Sequence, residues 1–234
     1  MDDPKDVPAQ EQPRRRPLPA VSIDPRWGRY AGLFALFLVV LITINTIVTK
    51  PNGAKGIARG APVPPFAVPL VTGNLVGNAD VATRPNQGAE GNVPACQARG
   101  PEILNICELY ERGPVVLALF IYSGSCEAIL GDMQAIAPSF PRVQFAGVAI
   151  KGDRRALRSL VRKHGIAFPV GLDEEGILAR FYKLASCPQL NFILPGGVVQ
   201  SAALLSRPSR DTLRARVAAL VAAARARGRP GGAR

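Results

Sequence analysis

The stretch GPVVLALFIYSGSC, residues 113–126, decides the fold. Its first ten residues are a continuous apolar run with β-branched and aromatic members, the pattern of a strand buried on both faces. A tight turn, Ser123-Gly124-Ser125, follows. From Cys126 onward, Ile129, Met133 and Ile136 recur at helical spacing, and that helix has to stop before Pro138. Cys126 therefore stands where a buried strand hands over to a helix.

Working outward, VQFAGVAI (143–150) reads as the next buried strand. Asp153 is a helix N-cap, Leu157, Leu160 and Val161 form the apolar face behind it, and Gly165 ends that helix. FPVGLD (168–173) is a short strand and EEGILARFYKL (174–184) a short helix. QLNFIL and VVQSAALL flank Pro195-Gly196-Gly197, a strand–turn–strand hairpin. Ser209 caps a last helix with Leu213, Val217, Leu220 and Val221 on one face and arginines on the other. This order predicts an α/β fold with a mixed central sheet flanked by helices, and strand 114–122 at its centre. Cys126 then lies at the carboxyl edge of a central strand, where α/β folds place their sites.

The 234 residues carry 29 Lys+Arg against 17 Asp+Glu, a formal net charge of +12, and are 47% hydrophobic. That apolar content excludes disorder throughout. The basic excess is localised: Arg207 to Arg234 holds eight Arg and one acid, +7 of the +12. This arginine-rich helix lacks interleaved aromatics, so nucleic acid is not an expected partner.

Residues 30–48 (YAGLFALFLVVLITINTIV) run for 19 residues without a charge. As a helix they would span roughly 28 Å, about one hydrocarbon core. Trp27 and Tyr30 stand at the entrance, Arg14, Arg15, Arg16, Arg26 and Arg29 precede it, and Lys50, Lys55 and Arg59 follow. That balance favours a cytoplasmic N-terminus and an extracytoplasmic remainder. The run is longer than a secretory h-region and lacks a clean small-x-small end, which points to an uncleaved signal-anchor. The expected organisation is a disordered cytoplasmic tail (1–29), a transmembrane helix (30–49), a linker (50–62), a folded extracytoplasmic domain (63–227) and a flexible tail (228–234).

Cys96, Cys107, Cys126 and Cys187 all follow the span, in a compartment that permits disulfides, and their number is even. Three pairings are open on sequence alone. There is no C-x-x-C, a single His and no carboxylate–His cluster, so neither a metal nor another cofactor is expected. His164 has a structural place before Gly165, at a helix C-terminus that suits a cationic ring. No Gly-rich phosphate loop is present.

Four strings share a further pattern: GAPVPPFAVPLVTGNLVG (60–77), ICELYERGPVVLALFIYSGSC (106–126), HGIAFPVGLDEEGILARFYKL (164–184) and CPQLNFILPGG (187–197). In this order they resemble the thioredoxin-like superfamily. The nearest branch is the membrane-anchored thiol–disulfide proteins of the TlpA/ResA type, which grade into the AhpC/TSA peroxiredoxins. The resemblance covers about residues 60–227 and leaves 78–105 as an insertion. It makes 60–77 the family's opening segment with a short first hairpin, and 106–112 a loop before the central strand.

The resemblance puts Cys126 on the family's attacking cysteine, but the second cysteine of its C-x-x-C falls on Ile129, giving C-E-A-I. A helix N-terminus still lowers a thiol pKa, with Glu127 acting weakly against it. By the same resemblance Pro188 is the family's cis-proline, and Cys187 before it faces Cys126. The implied pairing is Cys126 with Cys187, a resolving partner in place of the missing one. Cys96 and Cys107 then remain for each other. Closing their short loop is worth roughly 2–3 kcal/mol on the chain-entropy model. Ser123, Gly124 and Ser125 would shape the turn, and Pro188 the wall for a substrate backbone.

The implied function is thiol–disulfide exchange, with protein thiols or disulfides and an unidentified reductant or oxidant as partners, and the membrane through residues 30–48. Two alternatives stay open. One is a peroxiredoxin-like peroxidase: Ser123-Gly124-Ser125-Cys126 has the spacing, but Leu119 and Gln189 stand where that family has Pro and Arg. The other is a degenerate thioredoxin-fold binding module without chemistry.

Overall fold

The computed structural model describes residues 25–48, 56–75, 93–123 and 125–228. Gly124 and most of the two expected tails lie outside them. The chain forms two units, divided at Lys50. In the first, helix α1 runs Pro25–Val48, starting five residues before the expected span. Its described side chains include exposed Leu33, Phe34, Leu36 and Phe37. Among the described residues no helix is long and apolar enough to cross a membrane. Side chains of the 30–49 stretch are described for Tyr30 and residues 32–43 alone, so the anchor expectation lies partly outside the described residues.

The second unit is built on a five-stranded sheet. Strand β3 (Val115–Phe120) lies at its centre, parallel to β4 (Gln144–Ile150) on one side and antiparallel to β6 (Gln189–Leu194) on the other. Strand β5 (Val170–Asp173) continues parallel beyond β4, and β7 (Val198–Leu204) antiparallel beyond β6. The alternation of β3 sorts its side chains between two cores. Val116, Ala118 and Phe120 face helices α3 (Ala128–Ile136), α4 (Arg154–Lys163) and α6 (Arg210–Gly228). Val115, Leu117 and Leu119 face α2 (Ile106–Arg112), α5 (Ile177–Phe181) and the segment 57–68. Both faces are covered, hence the unbroken apolar run. Two crossovers stepping the same way across the sheet, β3-α3-β4 and β4-α4-β5, put both helices on one face.

The capping expectations are met atom by atom. Asp153 accepts from the Ala156 N–H at 2.8 Å, and the far end of α4 closes with Gly165 N–H on Arg162 O and Ile166 N–H on Val161 O. The Ser209 hydroxyl accepts from the Thr212 N–H at 3.2 Å. In the hairpin turn Gly196 and Gly197 both have φ near +80°, a backbone that only glycine adopts without strain.

Five readings need correction. The helix after the site begins at Ala128, two residues later than Cys126. Residues 106–112 are helix α2 rather than loop: Asn105 Oδ1 accepts from Cys107 and Glu108 N–H, while its Nδ2 holds Ala95 O and Ala98 O. Helix α5 is only Ile177–Phe181, because Asp173 draws residues 176–178 into a turn. The first strand, β1 (Ala67–Pro69), pairs not within 60–77 but with β2 (Ile103–Asn105) across the insertion.

The fifth concerns the linker. Residues 56–62 pack on the domain, with Ile57 buried. Gly60 N–H donates to Val199 O and Val199 N–H to Ala61 O, which covers the free edge of β7. Beyond β1, Val71 N–H donates to Val170 O and covers the β5 edge. One N-terminal segment thus blunts both edges of the sheet. Gly171 makes the second contact possible, since a Cβ there would collide with the Val68 side chain.

Candidate active site

The β3–β6 register builds the site. Leu119 pairs with Gln189 in the antiparallel ladder, so two residues further along each strand Cys187 comes opposite Ile121. The Ile121 N–H donates to Cys187 Sγ at 3.1 Å. Past Phe120 the chain turns through Ser123, whose N–H donates to Glu127 Oε2 at 3.2 Å, and returns at Cys126 two residues before α3. The Cα atoms of Cys126 and Cys187, 61 positions apart in sequence, are 5.5 Å apart, and the structure joins the two sulfurs. The Cys187–Pro188 peptide bond is cis.

The two cysteines sit at different depths. Cys126 is 8% exposed and packs among the α3 side chains Ile129, Leu130 and Met133. Cys187 is partly exposed, Pro188 is buried, and Ser123 and Ser125 are exposed. The apolar surface beside the pair comes from Ile121 and Tyr122, 43% and 42% exposed. The apolar run 113–122 makes these two the end of the strand; only their position past the last ladder pair exposes them. Cys96 and Cys107 are joined elsewhere, with Cα atoms 5.3 Å apart, tying the short helical turn Ala95–Gln97 to α2.

A charged cluster beside α3 also escaped the sequence. Asp132 is buried on α3, and its carboxylate accepts from Arg207 Nε at 2.6 Å and Arg210 Nε at 2.8 Å. It pins the start of α6 to α3 at the rim of an open cavity of about 480 Å³ that Glu127 and His164 also line. Burial pushes the Asp132 carboxyl up, but the hydrogen bonds and charges of Arg207 and Arg210 outweigh it and hold it below the usual carboxylate range. A carboxyl depressed in the folded state stabilises above its unfolded pKa, about 4, and that contribution is lost as pH falls through the folded value. Both arginines are half exposed or more, so solvent screening keeps the expected gain near 1 kcal/mol. Asp132→Asn should unfold more easily than wild type at pH 6, and the gap should close as the pH drops below the depressed pKa. Equal urea midpoints at pH 6 would remove the cluster from the stabilising contacts.

A central mixed sheet, helices on both faces, and a cysteine at the start of the helix after the central strand facing a cis-proline strand define the thioredoxin-like fold. This chain has that fold, with its cysteine pair split between the helix approach and the proline strand. No protein-family model and no curated protein matches the chain. Among solved structures it is similar to a Chlorobium tepidum protein assigned as thiol:disulfide interchange protein DsbE (TM-score 0.52, 16% identity, covering 70% of this chain and 99% of that one). It is also similar to the peroxidoxin BcpB of Mycobacterium tuberculosis (TM-score 0.51, 17% identity, 71% and 97%). A third likeness is the thioredoxin domain of a thiol-disulfide oxidoreductase from Bacteroides vulgatus (TM-score 0.51, 11% identity, 70% and 97%). At these identities the likeness establishes the fold.

Proposed function

We propose that the protein is a thiol–disulfide oxidoreductase that exchanges disulfides with other proteins through the Cys126–Cys187 pair. The observation that carries this reading is the pair itself: two cysteines distant in sequence meet at the carboxyl edge of the central strand, with one of them reachable from solvent. The Chlorobium and Bacteroides neighbours, whose names are those of thiol–disulfide enzymes, support it. The 19 uncharged residues 30–48, with arginines before them, support a single-pass anchor with the folded domain on the extracytoplasmic side. In that compartment a partner thiol or disulfide is available and the Cys96–Cys107 bond persists.

The test is a redox titration of the full-length chain in detergent against a glutathione series, with bonds assigned by non-reducing peptide mapping. Exchange requires the Cys126–Cys187 bond to open at a potential above about −300 mV, the level below which disulfides behave as structural staples. A bond that stays closed below that level makes the domain a binding module. The BcpB likeness and the Ser123–Cys126 spacing favour one second reading, a peroxidase. It requires the reduced protein to consume hydrogen peroxide, and a Cys126→Ser variant to lose that activity.

A further inference from the structure

Resting on the exchange reading above, we infer that Cys187, and not Cys126, carries the sulfur that meets the partner. The site runs with the opposite polarity to the one its resemblance implies. Three observations converge on this. Cys126 is buried within the core that holds Ile129, Leu130 and Met133, whereas Cys187, packed against the same core, keeps partial solvent exposure. The Ile121 N–H points at Cys187 Sγ from 3.1 Å, and among the described residues it is the one donor to either sulfur of the pair. A main-chain N–H in that place favours the thiolate, the nucleophilic form. The exposed apolar surface on which a polypeptide partner can settle, Ile121 and Tyr122, adjoins Cys187 across the strand ends.

Cys126 keeps a role suited to its depth. It stands two residues before the nine-residue α3, near the positive end of the helix dipole, which favours a thiolate. Starting from the reduced pair, the Cys187 thiolate attacks one sulfur of a partner disulfide. The partner's S–S bond breaks, a Cys187–partner bond forms, and the departing partner thiolate takes a proton from water. Cys126, its proton released to water, then attacks Cys187 Sγ. The Cys126–Cys187 bond forms and the second partner thiolate leaves. Two electrons pass from the pair to the partner disulfide. In the reverse direction a partner thiolate attacks Cys187 Sγ and expels the Cys126 thiolate at the helix start. A lower-pKa thiol leaves faster, so the helix favours this direction of cleavage.

The experiment compares single-cysteine variants of the full-length chain, with oxidised glutathione as probe. Cys126→Ser, which retains Cys187, should form its mixed disulfide at least about tenfold faster than Cys187→Ser, which retains Cys126. Wild-type protein supplies a measurement independent of variant folding. After reduction of the pair, labelling with substoichiometric iodoacetamide and peptide mapping should place the label on Cys187. Equal rates, or preferential labelling of Cys126, overturn the inference and leave the exchange function standing. A Cys126–Cys187 bond that excess dithiothreitol cannot open in the folded protein overturns both.

Discussion

Asp173→Ala lowers the unfolding free energy of the thioredoxin-like domain by about 3–5 kcal/mol, the loss expected when several buried donors lose one charged acceptor. Asp173 closes β5, is fully buried, and uses both carboxylate oxygens: Oδ1 accepts from Gly176 N–H at 2.9 Å and Ile177 N–H at 3.2 Å, Oδ2 from Leu178 N–H at 2.8 Å. Alanine leaves three backbone donors without a partner. Each such donor costs about 1–3 kcal/mol, reduced where water can enter beside the exposed Glu174 and Glu175. Helix α5 has five residues, too few to persist alone, so it depends on this carboxylate. Leu178 and Tyr182, both fully buried, hang from it. Asp173→Asn retains one acceptor oxygen and should cost roughly half as much. Urea unfolding at constant m-value measures both, and amide exchange at 176–178 should accelerate in the alanine variant. A loss of unfolding free energy below about 1 kcal/mol for alanine would show that the turn holds itself together by other means.

Phe192→Ala, at the middle of β6, should cost about 3–5 kcal/mol, a large share of the margin of an ordinary domain. Phe192 is fully buried and belongs to the core shared with Leu213, Val217 and Leu220 of α6 and with the α3 face. Truncation removes a ring from a close-packed layer whose neighbours are anchored in a sheet and two helices, so the cavity collapses only in part. Phe192→Leu keeps most of the volume and should cost under about 1.5 kcal/mol. The pair separates two explanations. Equal, small losses would mean that α6 follows the sheet inward and fills the space. A large loss confined to alanine supports a rigid seat for α6.

How much of this molecule was legible in advance depends on the range of the interaction that makes each part. Strand β3 was legible because burial on both faces demands an unbroken apolar run. Helix α4 was legible from cap to stop because Asp153 and Gly165 act on backbone groups within a few residues. The hairpin at 195–197 is equally local. Helix α2 was not: seven residues are too few for a periodic signal, and what holds it is Asn105 bonded both forward to Cys107 and back to Ala95. The partner of β1 and the burial of Ile57 were missed because strand pairing and edge covering bring together residues whose separation carries no pattern.

At the site the same division holds. The position of Cys126 after the central strand was readable from the chain, since a strand and a turn are local features, whereas the candidacy of Cys187 beside Pro188 came only from the family resemblance. The sequence by itself also determined the apolar faces, the caps and the concentration of charge in the last helix. Only long-range packing buries Cys126 in the core while Cys187 receives the Ile121 N–H, and brings Asp132 to Arg207 and Arg210. Exposure and long-range hydrogen bonding are properties of how distant segments pack. They exist only once β3 and β6 are in register and α6 has closed over the sheet.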